Sequence, residues 1–312
     1  MRNGQLLRLA TGTLFALASA VAAAPALGAA APRQVTPDST GHGFASVYGD
    51  VPADQAEFLS SGDRIRSAAA SGAPTLVWEA LEHGEKVECL DCISAVAPLL
   101  YDGNAKTREI AAWWLRRRIF GVFGPGEVYE QTVSALASDA DPMRRAYAAY
   151  ALGEFFAAPG IAACAQAVTA DADPRVRAAA ASALGRLNDD GAGALTTALG
   201  DSDSGVKIAA LGSAARINSF SGISAVAGLT MDPAVSVRRR AVEVLDALRA
   251  TDAVVAVAAV ARSDADAGAR AAACHALGTF GDSSALPVLQ KLAGSDPDTF
   301  VRDQAQIAIR RL

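Results

Sequence analysis

The sequence has few aromatic residues, few histidines and no excess of positive charge. Phe, Trp and Tyr make up 6% of its 312 residues, and the formal net charge is −5. A broad nucleic-acid interface needs clustered positive charge, so no nucleic-acid partner is expected. Only three histidines occur, without a His-Glu pair, a Gly-x-Ser-x-Gly element, a Walker loop or a dinucleotide-binding glycine pattern. We therefore predict that the protein is not an enzyme and uses no cofactor and no metal.

The only long apolar run stands at the N-terminus. Arg2 and Arg8 precede or border the uncharged stretch 9–24, and small residues follow it. This order predicts a signal peptide over residues 1–31; an uncleaved anchor is the alternative, although the run is short for a membrane span. No later run is long and apolar enough to cross a bilayer. We expect an exported protein, periplasmic or secreted, without stable membrane insertion after signal cleavage.

The chain after the predicted signal divides into two parts. Residues 32–52 are rich in Pro, Gly, Ser, Thr and Asp without a period, which predicts a flexible mature N-terminus. Helical patterning begins near residue 53 and continues to residue 312. Within it we expect a degenerate first unit at about 53–100 and regular repeats at about 101–312.

One basic residue, here called the anchor, marks each regular repeat. The anchors follow one another at steps of 37, 32, 30, 31, 32 and 32 residues: Arg108, Arg145, Arg177, Lys207, Arg238, Arg270 and Arg302. Alanine stands three positions after every anchor, and a large aliphatic residue stands seven positions after it except at Ala214. Alanine favours helix and allows close helix packing. Two apolar helical stretches per repeat therefore predict a stack of helical hairpins.

Aspartates stand where the second helix of each repeat should begin, often directly before a proline. An aspartate accepts hydrogen bonds from the free N–H groups of a first turn, and proline fits that turn. We also expect Gly153, Gly185 and Gly278 to end or bend these helices. A cation about one turn inside a helix lies near the positive end of the helix dipole, so its recurrence predicts a fixed acidic partner. We predict a structural ladder between the anchors and the capping acids of the same or the neighbouring repeat: Asp141, Asp173, Asp203, Asp232, Asp266 and Asp296.

The motif Asp-Ala-Asp-Pro-x-x-Arg-x-x-Ala-x-x-Ala-Leu-Gly occurs at residues 139–153 and 171–185. It resembles the short HEAT repeats also found in bilin-lyase proteins. The resemblance implies an all-α fold, a right-handed α-solenoid of about seven to eight HEAT-like helical hairpins. It also implies that one helix of each hairpin lines a concave face and that the protein contacts other proteins. Bilin lyases act on cytosolic proteins, which a signal peptide contradicts, and the His-Glu iron ligands of HEAT-fold hydroxylases are missing.

The four cysteines fall into two classes. Cys89 and Cys92 form a Cys-x-x-Cys motif, which in an oxidising compartment predicts a disulfide. Free or packed thiols are one alternative. A redox- or metal-dependent activity centred on this pair is the other, and it is also the alternative function. Cys164 and Cys274 lie more than three repeats apart, beyond the reach of about 7 Å between Cα atoms that a disulfide needs. We expect both to be buried as small apolar side chains.

The aromatic residues are concentrated in one region, since ten of the eighteen lie between residues 101 and 156. Positions two and five after each anchor share a helical face and vary widely, as a partner-facing column would. We predict a partner-binding set on that face: Trp113, Tyr147, Tyr150, Arg240, Glu243 and His275. The alternative is that these aromatic residues pack the N-terminal repeats. The whole pattern predicts a non-enzymatic protein–protein interaction scaffold or adaptor of the cell envelope or extracellular space, a monomer that binds another protein.

Overall fold

The computed structural model describes residues 44–46, 49–51, 61–121 and 124–312. The predicted signal peptide at 1–31 lies outside these residues. Within the segment predicted to be flexible, strand β1 (Phe44–Ser46) pairs antiparallel with β2 (Gly49–Val51). This short pair, which the composition does not predict, belongs to a unit separate from the helical part.

Within the described residues 61–121 and 124–312, the helical part contains sixteen α-helices, and they form eight successive hairpins. The first helices of the hairpins are α1 (Gly62–Ser71), α3 (Asp91–Val96), α5 (Glu127–Ser138), α7 (Gly160–Ala170), α9 (Ala194–Leu199), α11 (Ile223–Gly228), α13 (Val254–Ser263) and α15 (Leu286–Ser295). The second helices are α2 (Pro74–His83), α4 (Ala105–Leu115), α6 (Pro142–Phe155), α8 (Pro174–Leu187), α10 (Ser204–Ala214), α12 (Val235–Ala247), α14 (Ala267–Phe280) and α16 (Thr299–Ile309). The predicted all-α fold of repeated hairpins is confirmed.

Short elements complete the connections between these helices. Five 3₁₀ segments lie at Gly84–Lys86, Ala97–Tyr101, Leu229–Met231, Thr251–Ala253 and Ser283–Ala285. The long connection between α4 and α5 carries two strands, β3 (Phe120–Gly121) and β4 (Gly124–Pro125), which pair antiparallel. In the part of the chain that the structure describes, no helix has the length and apolar character that a bilayer crossing requires.

The hairpins stack through contacts between corresponding helices of neighbouring hairpins. The second helices contact one another in sequence from α2 to α16, and the first helices do so from α5 to α15. The alanines three positions after the anchors, from Ala111 to Ala305, are 0% exposed. The residues seven positions after the anchors, from Leu115 to Leu277 and including Ala214, are also 0% exposed. The positions that repeat in the sequence are therefore those that face the core.

The glycines at the ends of the repeated motif have another role than the one predicted. Gly153, Gly185 and Gly278 do not end their helices; they lie inside α6, α8 and α14, which continue beyond them. A Cβ at Gly185 would lie 2.8 Å from the Cα of Ser213 on α10, and one at Gly278 would lie 2.8 Å from the Cα of Ala308 on α16. These glycines therefore allow close approach of successive second helices.

Candidate functional site

The anchors form a ladder along the turns that join the two helices of each hairpin. Arg145 donates through Nε and Nη2 to both carboxylate oxygens of Asp171, at 2.8 and 2.9 Å. Its Nη1 donates to the carbonyl of Asp139 at 2.9 Å. The same bidentate pattern joins Arg177 to Asp201, Arg238 to Asp264 and Arg270 to Asp296, and Lys207 donates a single bond to Asp232. Each of these anchors therefore contacts the turn of the next hairpin.

Four of the six predicted ladder acids need correction. Asp232 and Asp296 do receive anchors, but the other acids of the ladder are Asp171, Asp201 and Asp264. The predicted acids Asp141, Asp173, Asp203 and Asp266 instead cap the second helices, accepting the N–H groups of Met143, Arg175, Gly205 and Ala269. The ladder acid stands in the turn after the first helix, two residues before the N-cap residue of the second helix, which brings it within reach of the preceding hairpin's anchor. The Asp-x-Asp spacing in the repeated motif was the available signal.

Two helix starts also differ from the sequence prediction. The side chain of Asp298, rather than that of Asp296, caps α16. Helix α12 begins after Ala234 without a side-chain cap, and Asp232 instead accepts the N–H of Ala234. In both hairpins the acid before the proline therefore serves the ladder, because the helix begins two residues later than in α6 and α8.

The ladder acids are held in their charged form. The guanidinium of Arg145, hydrogen-bonded to Asp171, lowers the pKa of that carboxyl group against the opposing effect of burial. The guanidinium groups of Arg177, Arg238 and Arg270 likewise lower the pKa values of Asp201, Asp264 and Asp296. With a cationic partner on each carboxylate, these residues serve structure rather than proton transfer.

The first regular repeat departs from the ladder, and there an aromatic ring takes the place of the acid. The Cζ atom of Arg108 lies 3.9 Å from the ring centroid of Tyr147. Asp139, which corresponds in sequence to the next ladder acid, is paired with Arg144 at 2.9 Å. At the other end, Arg302 donates to the carbonyls of Asp296 and Pro297. The continuous acid–anchor series thus runs from Arg145 to Asp296.

Trp113 differs from the two other tryptophans in how its indole is used. The indole N–H groups of Trp78 and Trp114 donate to the Thr107 hydroxyl at 3.0 Å and the Gly84 carbonyl at 2.9 Å. Within the described residues, Trp113 has no such bond, and its side chain is partly exposed. It lines a surface groove of about 410 Å³ between α4 and α6, together with Glu82, Lys106, Glu109, Ile110 and Glu154. Trp113 is therefore partly exposed with an indole N–H that no described side chain or carbonyl accepts.

Tyr147 and Tyr150 on α6 are partly exposed beside this groove. Their rings are contacted by cations of the chain itself, Arg108 on Tyr147 and Arg186 on Tyr150, the latter at 5.6 Å from the ring centroid. Burial raises the pKa of Tyr150, to which Glu109 adds, so the phenol stays neutral. These contacts fix the two rings while leaving part of each accessible, so packing and binding are compatible roles.

Phe156 adds a fourth aromatic residue to this region. It is 54% exposed, and Arg116 of α4 lies 5.3 Å from its ring centroid. Its φ is 52°, in the left-handed region, where the corresponding positions after α8 and α14 carry Asn188 and Gly281. A non-glycine residue in this conformation costs roughly 1 kcal/mol. We call Trp113, Tyr147, Tyr150 and Phe156 the aromatic patch. The sequence did not indicate Phe156, because the helix was expected to end earlier.

The polar members of the predicted partner-binding set lie elsewhere. Arg240 and Glu243 are on α12 and pair with each other at 3.1 Å. His275 is on α14; its Nδ1 lies 2.9 Å from Asp246 and its Nε2 lies 3.2 Å from Arg311. These residues follow α6 by three and four hairpins in the stack. The structure therefore does not bring them together with the aromatic patch.

Cys89 and Cys92 are joined by a disulfide beside α1. Arg66 of α1 places its Nη1 3.4 Å from the Sγ of Cys89 and 3.8 Å from that of Cys92. Cys164 and Cys274 are free and buried, as expected, and burial raises the pKa of each thiol to about 12. Among the residues that the structure describes, no cluster of three His, Cys, Asp or Glu side chains could hold a metal ion.

Arg118 holds the connection after α2 in place. Its guanidinium donates to the carbonyls of Glu85 at 2.6 Å, Val87 at 2.9 Å and Trp114 at 2.7 Å. Its Cζ atom also lies 3.8 Å from the centroid of the Trp114 ring. No spacing in the sequence distinguishes this arginine from Arg116 and Arg117, since only the tertiary fold brings the carbonyl groups to it.

Stacked helical hairpins joined by an acid–anchor ladder define an α-solenoid repeat protein. The HEAT-repeat family profile matches residues 129–215, 161–231 and 224–310, which together exceed half of the chain. The chain belongs to the HEAT-repeat family. Proteins of this family bind other proteins over the extended surfaces of their stacked helices.

Several solved structures share this fold at low sequence identity. The Escherichia coli protein YibA aligns over 80% of this chain and 92% of its own, with 17% identity and a TM-score of 0.54. Kap95p, in its complex with RanGDP, aligns over 79% of this chain and 38% of its own, with 14% identity and a TM-score of 0.56. The CpcE–CpcF phycocyanin lyase of Nostoc sp. PCC7120 aligns over 70% of this chain and 94% of its own, with 20% identity and a TM-score of 0.39. No curated protein matches the sequence.

Proposed function

We propose that this HEAT-repeat protein is a non-enzymatic scaffold or adaptor that binds another protein through the aromatic patch. The observation that carries the proposal is the clustering of partly exposed Trp and Tyr side chains on α4 and α6. Tryptophan and tyrosine are the side chains that most often dominate binding energy at protein interfaces. The corresponding face of later repeats carries mostly small or polar residues, so binding energy would be concentrated in the second and third hairpins.

The geometry of Phe156 supports the same region. An exposed aromatic residue stands where asparagine or glycine would be less strained. Folding alone does not favour that choice, since a ring that is 54% exposed gains little from burial. A partner that covers the ring would supply the missing burial.

Location and oligomeric state belong to the same proposal. The N-terminal sequence supports export to the periplasm or the extracellular space, without stable membrane insertion after cleavage. Exposed polar residues on and after the last helix, among them Asp303, Gln306 and Arg310, support a monomer, because they oppose end-to-end stacking. Cell fractionation with N-terminal sequencing of the recovered protein tests export, and light scattering of the purified chain tests the monomer. Retention in the cytoplasm with an intact Met1 would contradict the former.

Binding by the aromatic patch can be tested with matched alanine variants. Wild type, Trp113→Ala, Tyr150→Ala and the control Phe300→Ala serve as baits for quantitative capture from an envelope extract. Phe300 is 59% exposed but lies on α16, far along the stack from the patch. We expect one protein to be retained by wild type and Phe300→Ala and to be reduced at least tenfold with Trp113→Ala and Tyr150→Ala. The candidate is then purified and its Kd measured against all four.

Equal recovery on all four baits would place the interface elsewhere on the solenoid. Loss of helical circular dichroism in Trp113→Ala or Tyr150→Ala would favour the packing role over the binding role. The variant Phe156→Gly separates the two roles further. It removes the left-handed strain and one cation–π contact, so we expect equal or higher stability, by up to about 1 kcal/mol, together with weaker binding. Unchanged binding would remove Phe156 from the patch.

A further inference from the structure

We propose that the Cys89–Cys92 disulfide is a thiol–disulfide exchange site that oxidises a dithiol of another polypeptide. The proposal rests on the environment of the two cysteines, which are unequal in exposure, lie beside a cation and flank Leu90, a residue that lines a groove. It does not depend on the aromatic patch, whose residues lie on α4, on α6 and directly after α6.

The two cysteines differ in accessibility. Cys92 is 0% exposed, at the start of α3, whereas Cys89 is partly exposed in the connection before it. The proposed attack by an external thiolate is therefore at Cys89, the less buried of the two residues, and the Sγ of Cys92 is the leaving group inside the protein. Exchange depends on access to the sulfur that is attacked.

Arg66 supplies positive charge where exchange would create thiolates. Its Nη1 lies 3.4 Å from the Sγ of Cys89 and 3.8 Å from the Sγ of Cys92, and Nη2 forms an ion pair with Asp63. A guanidinium beside a sulfur stabilises the thiolate, both as nucleophile and as leaving group. The disulfide can lie this close to α1 because Gly62 carries no side chain: a Cβ there would lie 2.7 Å from the Sγ of Cys89. The two sulfurs therefore lie against both the backbone of α1 and the guanidinium of Arg66.

A groove begins at the residue that follows Cys89. Leu90, between the two cysteines, is 74% exposed. With Ile93, Ser94 and Ala97 it lines a groove of about 570 Å³ that continues along α3 to α5. A polypeptide that presents its dithiol to Cys89 would cover Leu90 and enter this groove. That continuity favours a protein dithiol over a small thiol as the substrate.

The proposed reaction balances in two steps. A thiolate of the partner attacks the Sγ of Cys89, the bond to Cys92 breaks, and Cys92 leaves as a thiolate beside Arg66. The second thiolate of the partner then attacks the partner's first sulfur, which is bonded to Cys89 in the mixed disulfide. A disulfide forms within the partner, and Cys89 leaves as a thiolate. The partner loses two electrons and two protons, and Cys89 and Cys92 become thiols. The partner gains one disulfide, and no further reactant takes part.

Exchange on the full-length protein can be followed with dithiothreitol as the probe. The buried Cys164 and Cys274 will not react under native conditions, so thiol titration reports Cys89 and Cys92 alone. We expect the disulfide of the folded protein to be reduced at least tenfold faster than that of an oxidised peptide spanning residues 86–94. Arg66→Gln should slow reduction at least fivefold, and Arg66→Lys should restore most of the rate. Helical circular dichroism should be unchanged in the reduced protein.

The opposite results would identify a structural disulfide. Reduction that needs denaturant, or loss of helical signal on reduction, would overturn the proposal. A trapping experiment gives an independent answer: Cys92→Ser leaves Cys89 as a free thiol beside the buried Cys164 and Cys274, and it should form a mixed disulfide with an oxidised Cys-x-x-Cys peptide at least tenfold faster than Cys89→Ser. Equal rates for the two variants would also overturn it.

Discussion

At the scale of single residues, the ladder pairs are partly desolvated ion pairs with fixed geometry. The side chains of Arg238 and Asp264 are 15% and 4% exposed, and two parallel hydrogen bonds join them. Bidentate guanidinium–carboxylate pairs are among the stronger hydrogen-bonded contacts. Removing one partner leaves a buried charge without compensation, which costs much more than the loss of an exposed pair.

We therefore expect Asp264→Ala to lower the free energy of unfolding by about 3 kcal/mol, because Arg238 loses its carboxylate. The matched control is Glu243→Ala. Glu243 lies on α12, the helix that also carries Arg238, and it pairs with Arg240. The side chains of Arg240 and Glu243 are 41% and 52% exposed. Glu243→Ala should cost less than about 0.5 kcal/mol. Urea unfolding followed by circular dichroism measures both. Similar losses for the two variants would show that the ladder adds little to stability.

The ladder acids also determine how stability depends on pH. Their pKa values in the folded protein lie below the ordinary value of about 3.9, chiefly because of hydrogen bonds from arginine. A lowered folded pKa gives stability that is present above the unfolded pKa and is lost as pH falls through the folded value. We expect a nearly constant contribution above about pH 5 and a steep loss below about pH 4. The difference in the free energy of unfolding between wild type and Asp264→Asn, measured by urea unfolding at each pH, should become smaller over the same range. A difference that does not change with pH would contradict the assignment.

At the scale of helices, contact between successive second helices depends on the absence of side chains at a few positions. Gly185 of α8 lies against Ser213 of α10, whose hydroxyl donates to the carbonyl of Ala181 at 2.8 Å. Gly153 lies against Ala183 in the same way. Small residues on both sides let the helix backbones approach, and a methyl group at the contact would push them apart.

We expect Gly185→Ala to destabilise the protein by about 1–2 kcal/mol, because the steric cost exceeds the gain in helix propensity. Gly294 is the control, since it lies inside α15 with no atom within 4 Å of a Cβ built there. Gly294→Ala should stabilise by up to about 1 kcal/mol through helix propensity alone. Thermal unfolding of both variants measures the difference in sign; stabilisation by Gly185→Ala would refute the close-contact role.

At the scale of the helical part, each hairpin contacts its neighbours in the stack, and the ladder links adjacent hairpins only. The stability of such a repeat protein is the sum of the stabilities of its hairpins and of the interfaces between neighbours. A defect in one interface should therefore act locally. The aromatic patch and the disulfide also lie in the first three hairpins, at or before the start of the regular ladder at Arg145.

We expect the loss of one ladder pair to loosen its own neighbourhood and leave distant hairpins unchanged. In Asp264→Ala, amide hydrogen exchange should accelerate at least tenfold in α12 to α14, next to the broken pair. Exchange in α4 and α6 should stay within about twofold of wild type. Uniform acceleration along the chain would instead show that the helical part unfolds as one cooperative unit.

The sequence by itself determined the class of fold, the repeat length and the core positions. The anchors and the alanines that follow them recur at fixed spacing, because every hairpin must bury the same face against its neighbours. The same regularity located the cap residues Asp141 and Asp173. It also exposed the departure at residues 101–156, where aromatic residues replace the usual small ones.

Only the tertiary structure decided which acids complete the ladder and which residues meet at the patch. Arg145 and Asp171 are 26 residues apart. The sequence alone does not tell which of the two aspartates in an Asp-x-Asp pair, here Asp171 and Asp173, is the partner of the anchor. Their assignment depends on how one hairpin is displaced against the next, which local patterning does not encode. The placement of Arg66 beside the disulfide and of Arg116 over Phe156 has the same origin, because contacts between elements depend on the packing of the whole stack.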